Sequence, residues 1–264
     1  MPVAALELIG VHVRRDGIGI LDPIDLRVEH GERWVVLGPN GCGKTTLLRI
    51  MALFDHPTGG TVEVLGARLG QTDVRTLRRR VGYAAAALAD QLRRELLAVD
   101  VVKTARFGAL EPWWHRYDDA DADRARWCLG AMGVERLATR RFGTLSSGEQ
   151  QRVLLARTMM TDPAVVLLDE PSARLDLGGR EHLVATLAEF ADDPDRPPFV
   201  MVTHHVDEIP PGVTHAALMR RGGLLTTGPI DDVLDASALS ECFGVSLRLD
   251  RRDDGRWTAW SPRR

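Results

Sequence analysis

One segment limits what this chain can fold into more than any other. Trp34-Val35-Val36-Leu37 is followed by Gly38-Pro39-Asn40-Gly41-Cys42-Gly43-Lys44-Thr45-Thr46, then by Leu47-Leu48-Arg49-Ile50. Four apolar residues read as a buried strand. A glycine-rich turn comes next and a helix after it, with the full G-x-x-x-x-G-K-[ST] spacing. Glycines let backbone N–H groups converge on phosphate oxygens without a Cβ in the way. A helix starting near Lys44 adds its positive end. Lys44 is placed to reach the β- and γ-phosphates of a nucleotide, and the Thr45 hydroxyl to ligate Mg²⁺. Lysine occurs only at Lys44 and Lys103, although the chain carries 34 Lys and Arg. A lysine in the loop of so arginine-rich a chain fits a need for a compact point charge. Cys42 reads as a small residue that fits the loop, and it predicts sensitivity to thiol reagents.

The rest of the chain suits an α/β fold. Its 264 residues suggest one large domain with a sizeable insertion. Strands are expected at 6–13, 34–37, 62–65, 165–168, 199–202, 216–219 and 224–226, and helices at 45–54, 147–160 and 179–190. Such alternation implies a mainly parallel sheet. The closely spaced, turn-linked strands before Gly38 suggest an antiparallel β flank. Residues 84–156, rich in Ala, Arg and Leu, read as an inserted helical subdomain. The core would then comprise about 1–83 and 157–235. A helix near 236–243 and a hairpin turning at Asp254-Gly255 would fill 236–264. The net charge of -3 gives no basic field for nucleic acid, so no nucleic-acid partner is expected. No run of 18 apolar residues is present to span a bilayer. The N-terminal stretch has no basic region ahead of an apolar one, so no secretory signal is expected. Three cysteines suit a reducing compartment.

A second buried run, Val165-Val166-Leu167-Leu168, ends in Asp169-Glu170-Pro171. Ligands of open α/β sheets bind at the carboxyl ends of strands. Asp169 can therefore hold Mg²⁺, and Glu170 can orient or deprotonate an attacking water. Between the two motifs lies Leu145-Ser146-Ser147-Gly148-Glu149-Gln150-Gln151-Arg152-Val153. This resembles the signature motif of ABC-type ATPases. Ser172-Ala173-Arg174-Leu175-Asp176 is similar to that family's D-loop, and Val202-Thr203-His204 to the strand ending in its switch histidine. The resemblance runs roughly from Leu6 to Gly228. The tail 239–245 also resembles the tails of iron-chelate and cobalamin importer ATPases.

The resemblance implies the P-loop NTPase fold of an ABC ATPase and a Mg²⁺-dependent ATPase activity. It implies a head-to-tail homodimer that sandwiches ATP between the phosphate loop of one subunit and the signature of the other. Ser146, Ser147, Gly148 and Glu149 would close on the γ-phosphate, Asp176 would contact the opposing site, and His204 would sense the γ-phosphate. Ser146 and Glu149 also read as a helix capping box, and both readings can hold together. A separately encoded transmembrane permease and a place on the inner face of the cell membrane follow. The alternative is a soluble, non-transport ABC ATPase of iron–sulfur assembly, repair or translation.

The chain departs from the family pattern at three places. Ser147 stands where the signature has Gly. The Gln that follows the strand leading into the insertion falls at Ala86, with Gln91 a few residues on. The adenine-stacking aromatic is matched by Arg15, or by Arg14 beside it; a guanidinium can stack on a base, and two solvated turn arginines are the other reading.

Overall fold

The computed structural model describes residues 3–113 and 115–262; Trp114, of the aromatic run 113–117, lies outside the described residues. Strands β1 (Leu6–Arg15) and β2 (Ile18–Val28) pair antiparallel across the Asp16-Gly17 turn. Next, β3 (Arg33–Leu37) runs into the glycine-rich loop and α1 (Lys44–Met51). Then β4 (Gly59–Val64) and β5 (Ala67–Arg68) complete a four-stranded sheet, ordered β2-β1-β4-β5. This is the expected antiparallel flank. Pro23 is tolerated in β2 because β2 is an edge strand.

The chain continues through α2 (Val74–Arg78), β6 (Val81–Ala85), α3 (Ala98–Lys103), α4 (Asp119–Ala131) and α5 (Ser147–Thr158). After these come β7 (Val165–Asp169), α6 (Leu177–Asp192), β8 (Phe199–Thr203), β9 (His215–Arg220) and β10 (Gly223–Pro229). Two short helices, α7 (Ile230–Val233) and α8 (Ala236–Phe243), precede a hairpin of β11 (Arg248–Arg251) and β12 (Trp257–Trp260). The main sheet is ordered β10-β9-β3-β8-β7-β6, parallel throughout except for β10. No helix among the described residues is long and apolar enough to cross a membrane.

Every residue of β3, β7 and β8 is buried, which is why each reads as a continuous apolar run rather than an alternating one. The period of two still sorts their side chains. Val35, Leu37, Val166, Leu168 and Met201 enter one core with the helices on that face. Trp34, Val36, Val165, Leu167, Val200 and Val202 enter a second core, shared with α1 and the antiparallel sheet. The sheet is thus clamped from both sides, and its strand ends are held in register.

Boundaries differ from expectation where a local conformation intervenes. The first helix stops at Met51 rather than residue 54, and Leu53 lies at a φ of 62°. β6 extends to Ala85 because it pairs with β7 through Asp169. α6 begins at Leu177 because Asp176 caps it. The terminal hairpin, by contrast, turns at Gly255 as expected, with a φ of 80°.

Candidate functional site

The phosphate loop starts at the carboxyl end of β3. A Cβ at Gly38 would lie 2.2 Å from the Met219 carbonyl oxygen and 2.8 Å from Cys42 Sγ. A Cβ at Gly43, whose φ is 108°, would lie 2.6 Å from Leu21 Cδ2. Glycine is therefore demanded at Gly38 by the β9 backbone and at Gly43 by its φ. Gly43 precedes α1 with no side-chain cap, and no acidic residue sits in the first turn. The first-turn N–H groups are thus left to an anion. Lys44 is 4% exposed, and its Nζ donates to the carbonyls of Gly38 at 2.8 Å and Pro39 at 3.1 Å. Asn40, Gly41 and Thr45 face solvent, while Pro39, Gly43 and Thr46 are half-buried. Cys42 is buried and burial pushes its thiol up. The thiolate is the reactive form, so the reagent sensitivity expected from sequence is corrected to slow modification.

The carboxylates stand beside this loop. Thr45 Oγ1 donates to Asp169 Oδ1 at 3.1 Å, and the Tyr83 hydroxyl donates to Asp169 Oδ2 at 3.3 Å. Asp169 is 8% exposed. Burial raises its carboxyl, the Glu170 charge adds to this, and the Thr45 bond opposes it. Glu170 leaves the strand at a φ of 44°, in the left-handed region, with its N–H donating to Val202 O at 3.0 Å. Strained backbone of this kind persists where the surroundings over-determine it. The turn separates the two neighbouring carboxylates. Glu170 Oε1 lies 3.1 Å from His204 Nδ1 and 4.0 Å from Lys44 Nζ. Glu170, His204 and Asp176 line one cavity together with Ser172 and Arg180.

The signature residues lie apart from the loop. Ser146 caps α5 in a full capping box: Glu149 N–H donates to Ser146 Oγ at 3.3 Å, and Ser146 N–H donates to Glu149 Oε2 at 3.0 Å. That N–H holds the Glu149 carboxyl below the usual range. Ser146, Ser147, Gly148 and Glu149 line a second cavity with Asp176 and His182. No hydrogen bond or ion pair among the described residues joins them to residues 38–46, Asp169, Glu170 or His204. Asp176 borders both cavities, and its side chain accepts from Gly179 N–H at 2.7 Å.

The departures from the family pattern are equally concrete. Ala86 opens a short 3₁₀ segment that ends at the exposed Gln91. Arg15, with a side chain 59% exposed, pairs with Asp55 at 3.2 Å, and Arg14 donates to Gly17 O at 3.1 Å. Sequence reading missed Tyr83, whose hydroxyl reaches Asp169 from the neighbouring strand. It also missed Glu208, a buried carboxylate that accepts the Thr203 hydroxyl. Asp90 in the short segment takes a two-point ion pair from Arg174 of the Ser172–Asp176 stretch. In the aromatic run, His115 stacks on Phe107 at 4.3 Å, while Trp113 is exposed beneath Arg93.

Residues 21–173 match the family described as ABC transporter. The chain belongs to this family. A putative ABC transporter ATP-binding protein of Streptococcus mutans is 33% identical, over 97% of this chain and 98% of the relative. The uncharacterized ABC transporter ATP-binding protein YlmA of Bacillus subtilis is 35% identical, over 92% of each. The nickel import ATP-binding protein NikO of Rhodobacter capsulatus is 32% identical, over 89% of this chain and 93% of the relative. Among solved structures, a dimeric post-hydrolysis state of the ATP-binding cassette MJ0796 bound to ADP and Pi superposes with a TM-score of 0.72 at 25% identity. It covers 85% of this chain and 98% of that one. A structure described as an inward-facing conformation of a putative metal-chelate type ABC transporter shares the fold, with a TM-score of 0.78 at 20% identity over 97% and 98% of the two chains. The chain is an ATP-binding and ATP-hydrolysing subunit that powers an ABC transporter, and the soluble alternative falls away.

Proposed function

We propose that ATP hydrolysis proceeds at the junction of the phosphate loop, Asp169, Glu170 and His204, in a head-to-tail pair of these chains. The reading rests on Glu170 Oε1 standing between His204 Nδ1 at 3.1 Å and Lys44 Nζ at 4.0 Å, beside the Thr45–Asp169 bond. The loop N–H groups from Gly38 to Thr46, with Lys44, would hold the β- and γ-phosphates; the loop fits an anion because α1 starts with no side-chain cap and no acidic residue in its first turn. Arg15, or Arg14 beside it, would stack on adenine. Thr45 and Asp169 are hard oxygen donors suited to Mg²⁺. When bound, that ion neutralises charge developing on the phosphate oxygens. Glu170 orients the attacking water and takes its proton, while His204 holds Glu170 in place and reads the γ-phosphate. The new bond forms from water oxygen to γ-phosphorus. The bond to the β–γ bridging oxygen breaks, giving ADP and phosphate.

Ser146, Ser147, Gly148 and Glu149 of one subunit would complete the site of the other, with Asp176 reaching across. Their place in a cavity that none of residues 38–46 lines supports this reading, as does the dimeric state named for MJ0796. Residues 84–156 act as the helical subdomain between core segments 1–83 and 157–235, with 236–264 as a terminal extension. A separately encoded permease carries the transported solute, and the pair sits on the cytoplasmic face of the cell membrane. The test is purification of tagged Glu170→Gln protein from detergent-solubilised host membranes with ATP, followed by mass spectrometry. A multi-span membrane protein in near-equal amount is expected. Recovery from the soluble fraction with no membrane partner would overturn the membrane assignment.

A further inference from the structure

The terminal hairpin lies outside the family match, which ends at residue 173. Its anchor is nevertheless aimed at the catalytic side of the molecule. Arg256, with a side chain 14% exposed, donates from both terminal nitrogens to the Glu181 carboxylate, and Nη2 also donates to Asp207 O at 2.6 Å. Glu181 lies on α6, the helix that Asp176 caps. Asp207 belongs to the single 3₁₀ turn Val206–Glu208, directly after His204 and His205. One guanidinium therefore spans the D-loop helix and the turn behind the switch histidine.

Neighbouring contacts make this a braced frame. Arg180 Nη1 pairs with Asp207 Oδ2 at 2.9 Å, tying the same turn to the same helix. Thr203 Oγ1 donates to Glu208 and accepts from His205 N–H at 3.1 Å, so the backbone on both sides of His204 is fixed. The hairpin is itself stiff. Asp254 Oδ1 accepts from Arg256 N–H at 3.1 Å, and Arg251 pairs with Asp231 at 2.8 Å. Two parallel N–H···O bonds to a carboxylate impose orientation as well as attraction.

We propose that Arg256 is a positioning residue for ATP hydrolysis, holding the Val206–Glu208 turn against α6 so that His204 keeps its hydrogen bond to Glu170. The inference rests on the roles proposed above for Glu170 and His204. It gives the C-terminal hairpin a part in the timing of hydrolysis rather than in nucleotide binding. Arg256 touches neither the cavity of Glu170 nor the phosphate loop, so it acts only through the turn.

The test measures phosphate release by purified full-length protein for the natural sequence, Arg256→Ala, Arg256→Lys, His204→Ala and the double variant Arg256→Ala/His204→Ala. Small misplacements of a catalytic group can cost up to about a hundredfold, so Arg256→Ala should lose about tenfold in kcat. The KM for ATP should stay within about twofold, because uniform binding is untouched. Arg256→Lys, with one point of attachment, should recover part of the loss. In the His204→Ala background, Arg256→Ala should cost nothing further, since the residue it positions is gone. An unchanged kcat for Arg256→Ala overturns the proposal, and so does a full additional tenfold loss in the double variant. If Arg256→Ala does not fold, Glu181→Gln and its double variant with His204→Ala are read in the same way. Glu170→Gln is measured alongside. Undiminished turnover there defeats the underlying reading, whereas its loss together with a normal Arg256→Ala defeats the present inference alone.

Discussion

His204 Nδ1 and Glu170 Oε1 meet at 3.1 Å, although 34 residues separate them in sequence. They come from the carboxyl ends of adjacent parallel strands, β7 and β8, and the register Asp169↔Val202 puts those ends side by side. The contact binds the residue proposed as water base to the residue proposed as phosphate sensor. Any displacement of one is felt by the other.

Glu170→Gln keeps the size and hydrogen-bonding shape of the side chain but cannot take a proton. Its kcat should fall by about 10²–10⁴, the usual range for loss of a general base, with ATP binding retained. Phosphate release and nucleotide equilibrium binding check the two halves separately, and undiminished turnover would remove Glu170 from its assigned role.

Two glycine substitutions should fail differently. Gly38→Ala drives a Cβ to 2.2 Å from the Met219 carbonyl oxygen, a backbone atom that cannot yield cheaply, so ATP binding and thermal stability should both drop. Gly148→Ala meets only Gly179 Cα, at an ordinary 3.6 Å, so the chain should fold and bind ATP normally. Because Gly148 is proposed to face the partner's phosphate, that variant should lose nucleotide-dependent dimerisation and turnover. Light scattering with and without ATP separates the two cases; a Gly148→Ala protein that dimerises and turns over normally would count against the signature's role.

Tyr83→Phe removes only the hydroxyl that donates to Asp169 Oδ2 at 3.3 Å. A single hydrogen bond to a charged group is worth about 1.5–3 kcal/mol, and this one is long. A divalent-ion affinity about three- to tenfold weaker is expected, which is below that range, as a long bond requires. Titration with Mn²⁺ followed by electron paramagnetic resonance reads the affinity directly, and an unchanged value would leave Tyr83 a packing residue.

The capping box carries a pH signature. Ser146 N–H holds the folded-state Glu149 carboxyl below its ordinary value. Its stabilisation is therefore present above that ordinary value, about 4.3, and is lost as pH falls through the lowered folded-state value. The melting temperatures of the natural protein and Glu149→Gln should differ near neutral pH and converge only as the pH falls below the lowered folded-state value. A gap that stays constant down the acid range would show that the carboxylate charge is not what the box uses.

The readable parts of this molecule are those written in consecutive residues. Gly38–Thr46 carries its own turn geometry, Val165–Glu170 its own strand and carboxylates, and Ser146–Glu149 its own cap. The helix 236–243 and the Asp254-Gly255 turn were equally local. Contacts between distant segments were not legible. Tyr83 is 86 residues from Asp169, and Arg256 is 75 from Glu181; each needs the sheet order or the docked hairpin before the pair exists. Strand β2 was only partly visible, since its register shifts against β1 and Pro23 blur the alternation. Cys42 looked accessible from its place in an open loop, and only the packing of Gly38 and Met219 around it shows that it is enclosed.

Ser146 Oγ is already engaged at home: it accepts from Glu149 N–H at 3.3 Å and donates to Glu149 Oε2 at 3.2 Å. In the proposed head-to-tail pair, a phosphate arriving on a second chain would not meet an idle hydroxyl. It would compete with a carboxylate of its own sign for the same proton, and would win only by turning that proton outward. Each such closure would exchange one charge-assisted bond for another instead of adding one. An exchange of near-equals is readily reversed, which would suit a pair that separates again after each round of the proposed cycle.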